Sequence, residues 1–140
     1  MTALQFVDTN VLLYAISTAP DEAEKTREAR RLLDGDDLAL SVQVLQEFYV
    51  QATRKSRSDA LTAEQASRLV EAFLRFPVQE NTVALMTRAF ASSARFQISF
   101  WDAAVLEAAR SLGCRTVLSE DLAQGRDYDG VVVLNPFRKG

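Results

Sequence analysis

Apolar residues come in short blocks separated by amphipathic stretches, and this alternation predicts strands and helices in turn. Residues 4–8, LQFVD, read as a short buried strand, and Thr9-Asn10 opens a helix to about residue 16. Pro20 stands in the first turn of the next helix, with Asp21, Glu22 and Glu24 near its positive dipole end. That helix runs past Arg27, Arg30 and Arg31 to Leu33, and Gly35 stops it. Residues 38–41 predict a second strand, and Ser41 caps a helix from 42 to about 55 with Leu45, Phe48, Tyr49 and Ala52 on one stripe. A polar connection over 54–58 follows, and Thr62-Ala63-Glu64-Gln65 has the spacing of a capping box for a helix to about 75. Residues 77–78 suggest a brief strand. Asn81 is then expected to cap a helix to about 95. A further helix spans 99–112, with Trp101, Ala104, Val105, Ala108 and Leu112 along one face and Gly113 just past its end. Strands at 116–118 and 131–134 close the chain, joined by a loop or short helical turn over 119–128.

Short apolar strands alternating with helices imply a mainly parallel sheet with helices on both faces. The 140 residues suit a single α/β domain over 1–140, with no repeat or linker. The opening MTALQFVDTN has neither the charge nor the apolar run of a signal peptide, and no stretch is long enough to span a bilayer. A single cysteine, Cys114, is expected to pack as a small hydrophobe, and the expected compartment is a reducing cytoplasm. The chain has no histidine, which removes Ser-His-Asp and Cys-His sites, imidazole zinc sites and His acid/base nucleases. Its net charge of −3 gives no overall basic field, so any nucleic-acid contact must be local.

In parallel sheets, sites gather beyond the carboxyl ends of the strands. That rule selects four of the 19 acids: Asp8 ends the first strand, Glu47 follows the second, Asp102 begins a helix, and Asp121 lies just past strand 116–118. Two like charges about 4 Å apart cost roughly 4 kcal/mol at an effective dielectric of 20. Such acids raise one another's pKa unless a cation neutralises them, and Mg²⁺ or Mn²⁺ suits an all-oxygen site. Such an ion turns water into a nucleophile near neutral pH and offsets charge on phosphate oxygens, which needs no histidine.

The segments around these acids resemble the motifs of PIN-domain proteins and, within them, the VapC toxins of toxin–antitoxin pairs. FVDTNVLLYA resembles the first motif, with Asp8 as metal ligand and Thr9 and Asn10 in support; SVQVLQEFY resembles the second, with Glu47. SFWDAAVLEAA resembles the third, with Asp102; LSEDLAQG resembles the fourth, with Ser119 and Asp121; and the closing VVVLNPF is typical of one subgroup. The resemblance spans essentially the whole chain and implies a Mg²⁺- or Mn²⁺-dependent endoribonuclease. It further implies hydrolysis to 5′-phosphate and 3′-hydroxyl ends, homodimers, and a cognate antitoxin whose tail often brings an Arg into the acidic pocket.

Each residue also has a plainer reading. Asp8 can serve as a helix N-cap, and Ser99-x-x-Asp102 fits a capping box. Glu47 lies beside the apolar stripe, where solvated surface is the ordinary role. Asp121 competes with Glu120, and Ser119 is either a cap or a group that orients a ligand. Arg54, Lys55 and Arg57 can follow an RNA backbone or merely be solvated. Trp101 is expected in the core, while Phe96 and Phe100 share with it the option of stacking on a base or partner. Three other functions compete. A haloacid-dehalogenase-like phosphatase would need an Asp where Asn10 stands, and a phospho-receiver would need a phosphoacceptor Asp and a Lys at later strand ends. The third is a PIN-like module that binds RNA or protein without cleaving it.

Overall fold

The computed structural model of the chain describes residues 3–138. The first two and last two residues of the expected 1–140 domain, including the start of MTALQF, lie outside the described residues. Six strands form one sheet in the order β3-β2-β1-β4-β6-β5. They are β1 (Gln5–Val7), β2 (Leu38–Ser41), β3 (Val78–Gln79), β4 (Thr116–Leu118), β5 (Asp127–Tyr128) and β6 (Val131–Leu134). All neighbouring pairs are parallel except β5 with β6. Consecutive strand residues point to opposite faces, and Phe6-Val7 and Leu38-Ala39-Leu40 are all fully buried, so both faces of the sheet are covered.

The helices are α1 (Thr9–Ala15), α2 (Ala23–Asp34), α3 (Val42–Ala52), α4 (Ala63–Phe73), α5 (Val83–Phe96) and α6 (Phe100–Ser111). α6 contacts β2, β3, β4 and β6, so its positions Ala103–Ala109 are buried all round, and α5 packs outside it. Among the described residues no helix is long and apolar enough to cross a membrane.

The expected elements are present with shifted ends. β1 stops at Val7 because Asp8 takes the N-cap of α1. Pro20 opens a separate 3-10 turn, Pro20–Glu22, whose last side chain accepts from the Ser17 hydroxyl at 2.5 Å, and α2 starts after it. α3 ends at Ala52, where the carbonyl accepts from Leu61 N as the chain turns back. The Thr62–Gln65 capping box forms in full. Thr82, not Asn81, caps α5; its hydroxyl accepts from Leu85 N, while Asn81 reaches Gln46. Residues 119–128 are not all loop, for Asp127–Tyr128 pairs with β6 across a two-residue turn in which Asp129 and Gly130 both have positive φ. Trp101 is not in the core: it is 61% exposed, because it sits in the first turn of α6, where it lines an open cleft instead of packing inward. Cys114 is buried as expected, and burial pushes its thiol up to about 11, which keeps it inert near neutral pH.

β1 feeds β2 and then β3 on one side, whereas β4 and β6 lie on the other. The strand order therefore reverses between β1 and β4. A crevice opens there at the carboxyl ends, the place such sheets use for ligands.

Candidate metal-binding cleft

A cleft of about 220 Å³ opens at that reversal, lined by Asp8, Glu47, Asp102 and Asp121 together with Thr9, Asn10, Leu13, Gln43, Gln51, Trp101 and Val105. The four acids come from four places: the end of β1, the middle of α3, the first turn of α6 and the loop after β4. The lining contains no Lys or Arg. Two larger hollows lie elsewhere, one along α2 and the C-terminal residues, the other between α5 and α6, and neither gathers these acids.

Neutral donors hold the carboxylates. Asp8 Oδ1 accepts from Thr9 N at 2.8 Å and its Oδ2 from the Ser119 hydroxyl at 2.8 Å. Thr9 Oγ1 donates to Glu47 Oε2 at 3.0 Å, tying α1 to α3. Asn10 Nδ2 reaches Asp121 Oδ2 at 3.1 Å, Ser119 Oγ at 3.3 Å and Asp8 Oδ2 at 3.5 Å, while its Oδ1 accepts from Glu120 N. Ser119 is fully buried, and its oxygen also accepts from the backbone N–H of Asp121 and Leu122. Asp102 forms half of a capping box: its N–H donates to Ser99 Oγ at 3.1 Å, but its carboxylate accepts no hydrogen bond from the described residues. That leaves the carboxylate available to the cleft.

Burial pushes the Asp8 carboxyl from 3.8 up to about 6, with the charges of Asp121 and Glu47 adding and the bonds from Ser119 and Thr9 opposing. Acids outside the cleft are treated differently. Glu107 is buried in α6 but accepts from Ser92 and pairs with Arg110. Glu120 does not line the cleft; burial alone would raise its pKa, but hydrogen bonds from Lys25 and Tyr14 outweigh burial and lower it. None of the four cleft acids has an ion-pair partner among the described residues.

An all-oxygen, uncompensated acid set fits a hard divalent cation. Among the described residues no three acids are drawn into a ready-made cage, so the fit is to an ion that keeps much of its water and meets carboxylates on several sides. Of the remaining sequence candidates, Thr9 and Asn10 line the cleft and Ser119 lies beneath it. Arg54, Lys55 and Arg57 do not line it; the first two are exposed just beyond α3, and Arg57 pairs with Asp59 at 2.6 Å. Sequence reasoning missed Gln43 and Gln51, which flank Glu47 on the cleft wall. Their spacing, 43, 47 and 51, is a polar stripe at every fourth residue of α3, a signal that was there to be read. Gln43 Nε2 is buried without a hydrogen-bond partner among the described residues, a donor left over at the cleft wall.

No curated protein matches the chain. Among solved structures it is similar to a toxin–antitoxin complex from Klebsiella pneumoniae, with a TM-score of 0.66 and 22% identity over 96% of this chain and 98% of that one. VapC20 of Mycobacterium tuberculosis, described as a sarcin-ricin loop cleaving toxin, gives a TM-score of 0.64 at 20% identity over 84% and 91%. DNA-bound VapBC from Salmonella typhimurium gives 0.62 at 21% over 94% and 97%. At such identities the likeness concerns the fold. The sequence model of the PIN domain matches residues 6–126, a span that begins in β1 and takes in all four acids of the cleft. By that match this chain is a member of the PIN-domain family.

Proposed function

We propose that this protein is a Mg²⁺- or Mn²⁺-dependent endoribonuclease and the toxin of a type II toxin–antitoxin pair. The observation that carries the reading is the set of four carboxylates, drawn from four elements into one cleft with no basic residue in its lining. The fold-level likeness to toxin–antitoxin structures, one described as a sarcin-ricin loop cleaving toxin, supports it.

Asp8, Asp102, Asp121 and Glu47 would hold the ion, Asp8 and Asp102 foremost, because one is fixed by neutral donors and the other is unoccupied. When bound, a divalent cation supplies a nucleophile from water near neutral pH and offsets charge on the phosphate oxygens. Thr9 fixes Glu47 through Oε2, which leaves Oε1 to accept a proton from water. Asn10 and Ser119 keep Asp8 and Asp121 in register with each other. Attack by water on phosphorus, with the P–O3′ bond breaking and the 3′ oxygen leaving to take up a proton, gives a 5′-phosphate and a 3′-hydroxyl. Arg54 and Lys55, exposed at the end of the α3 wall, supply local positive charge for an RNA backbone, and Arg57 beside them does so less, being paired.

The acid cleft is also electrostatically open to an Arg from a cognate antitoxin, the partner that the toxin–antitoxin reading requires. A homodimer is supported by an apolar face beside the cleft, where Val83, Met86, Phe90 and Trp101 are exposed around half-buried Phe100. The site of action under this reading is the cytoplasm. The test is cleavage of total cellular RNA by purified protein with Mg²⁺, Mn²⁺ or EDTA, beside Asp8→Asn and Asp102→Asn. Metal-dependent cuts with 5′-phosphate ends, lost in both variants, are expected. Wild type that cuts nothing in either metal refutes the enzyme in favour of a silent binding module, and 2′,3′-cyclic phosphate ends refute attack by water.

A further inference from the structure

Two adjacent acids in the loop after β4 are held to opposite sides. Asp121 lines the cleft, where Asn10 donates to its Oδ2. Glu120 stays out of it: its Oε1 accepts from the Tyr14 hydroxyl and its Oε2 from Lys25 Nζ, each at 2.5 Å. Lys25 Nζ also donates to the Tyr14 hydroxyl at 3.2 Å and lies 4.8 Å from the centre of the Tyr14 ring. Phe137 meets that ring edge-on at 4.9 Å and closes the cluster from the C-terminal side.

Asp121 needs such an anchor. It is an exposed residue in an irregular segment, so a fixed direction for its carboxylate costs conformational entropy. Glu120 is one methylene longer, is its immediate neighbour, and would compete for the same space if released. The backbone pins, Glu120 N to Asn10 and Asp121 N to Ser119, fix the loop at its inner edge. Next to Asp121 itself, the side-chain hold on the outer side is the Glu120 cluster, which rests on α1 and α2 instead of the loop itself, whereas Gln124 and Arg126 tie the loop down farther along.

We propose that Tyr14 and Lys25 are positioning residues: by clamping Glu120 outside the cleft they aim Asp121 into it and set its contribution to cation affinity. This rests on the reading of Asp121 as a ligand. It extends the metal site's support to helix α2, which contributes nothing to the cleft lining.

The test uses the full chain as wild type, Lys25→Met, Tyr14→Phe and Lys25→Arg. Amide hydrogen exchange is measured without metal, Mn²⁺ affinity by calorimetry, and RNA cleavage as separate kcat and KM. Lys25→Met is expected to speed exchange at Asp121 and Leu122 selectively, leaving β4 unchanged. It should also weaken Mn²⁺ binding about tenfold, as loss of a supporting partner does. kcat should fall with KM unchanged, Tyr14→Phe should show a smaller effect of the same pattern, and Lys25→Arg should stay near wild type. Wild-type exchange at 121 and 122 together with wild-type Mn²⁺ affinity in Lys25→Met and Tyr14→Phe, whatever their melting temperatures, overturns the proposal and leaves a plain fold staple. If wild type itself binds no Mn²⁺, the ligand reading fails instead. The exchange result then decides the clamp alone, unchanged rates overturning it and selective acceleration sustaining it.

Discussion

Asp8→Asn removes a charge with almost no change of shape, and the structure gives that charge a cost. The Asp8 carboxyl is pushed from 3.8 up to about 6, first by burial and then by Asp121 and Glu47. Between those values the native protein keeps a proton that the unfolded chain has released. The unfolded state therefore binds fewer protons, and stability falls as pH rises. In metal-free protein the contribution of Asp8 to stability should be greatest below about pH 4, decline to about pH 6 and stay level above it, while Glu28, Asp59 and Glu120, whose pKa values are lowered, lose theirs in acid. At about 1.4 kcal/mol per pH unit the whole decline is about 3 kcal/mol. The variant avoids that cost but cannot accept from both Thr9 N and Ser119 as the carboxylate does, a loss of about 1 kcal/mol. Urea unfolding in EDTA at pH 7.5 should therefore find Asp8→Asn more stable than wild type by about 2 kcal/mol, with the two nearly equal at pH 4. Saturating Mn²⁺ should reverse the order, since a ligand at a hundredfold excess over Kd adds about 2.7 kcal/mol to the form that binds it. An Asp8→Asn protein no more stable than wild type in EDTA at pH 7.5, with the difference between the two flat from pH 4 to 7, would refute the claim that the cleft confines uncompensated charge.

Two further outcomes follow from other parts of the molecule. Ser119→Ala should destabilise the protein by about 2 kcal/mol, because the part-buried N–H of Asp121 and the buried N–H of Leu122 lose their shared acceptor. It should also move Mn²⁺ binding to higher pH, because Asp8 loses a bond that favours its charged form; titrations at pH 6 and 7.5 with the wild-type pH profile would count against this. Met86→Glu puts a charge on the apolar face of α5 and should convert a dimer to a monomer in sedimentation, whereas an unchanged mass assigns the dimer to another surface.

Much of this architecture was legible because β1, β2 and β4 are short apolar runs followed by helix signals, and that pattern alone implies parallel crossovers. The carboxyl-edge rule then selected acids that the fold does bring together, including Glu47, which periodicity would have left on the surface. The hairpin at β5 was legible but not read: Asp129-Gly130 between Tyr128 and Val131 is a strong type I′ turn signal, obscured by a polar loop before it. The exposure of Trp101 was not legible. Its position on the α6 stripe matches Ala104 and Val105, yet those are 5% exposed while Trp101, one turn earlier, stands in the wall of the open cleft. Asp121 was separated from Glu120 by its motif position alone, since the physical reason Glu120 stays out of the cleft is Lys25, far away in sequence and adjacent in space.

Under the proposed reading, the way the acids are held gives a cation in the cleft a role in stability as well as in chemistry. Three partly buried carboxylates elsewhere in the fold meet charge of the opposite sign: Arg110 for Glu107, Lys25 for Glu120, Arg57 for Asp59. In the cleft it supplies Thr9, Asn10 and Ser119, whose neutral N–H and O–H groups fix a carboxylate's direction but leave its charge in place. A lysine there would relieve the repulsion but occupy the position a mobile cation must take. The cost shows as the raised Asp8 pKa in the metal-free chain, and a bound cation would return it, so cation binding should strengthen with rising pH over the range where the metal-free stability falls.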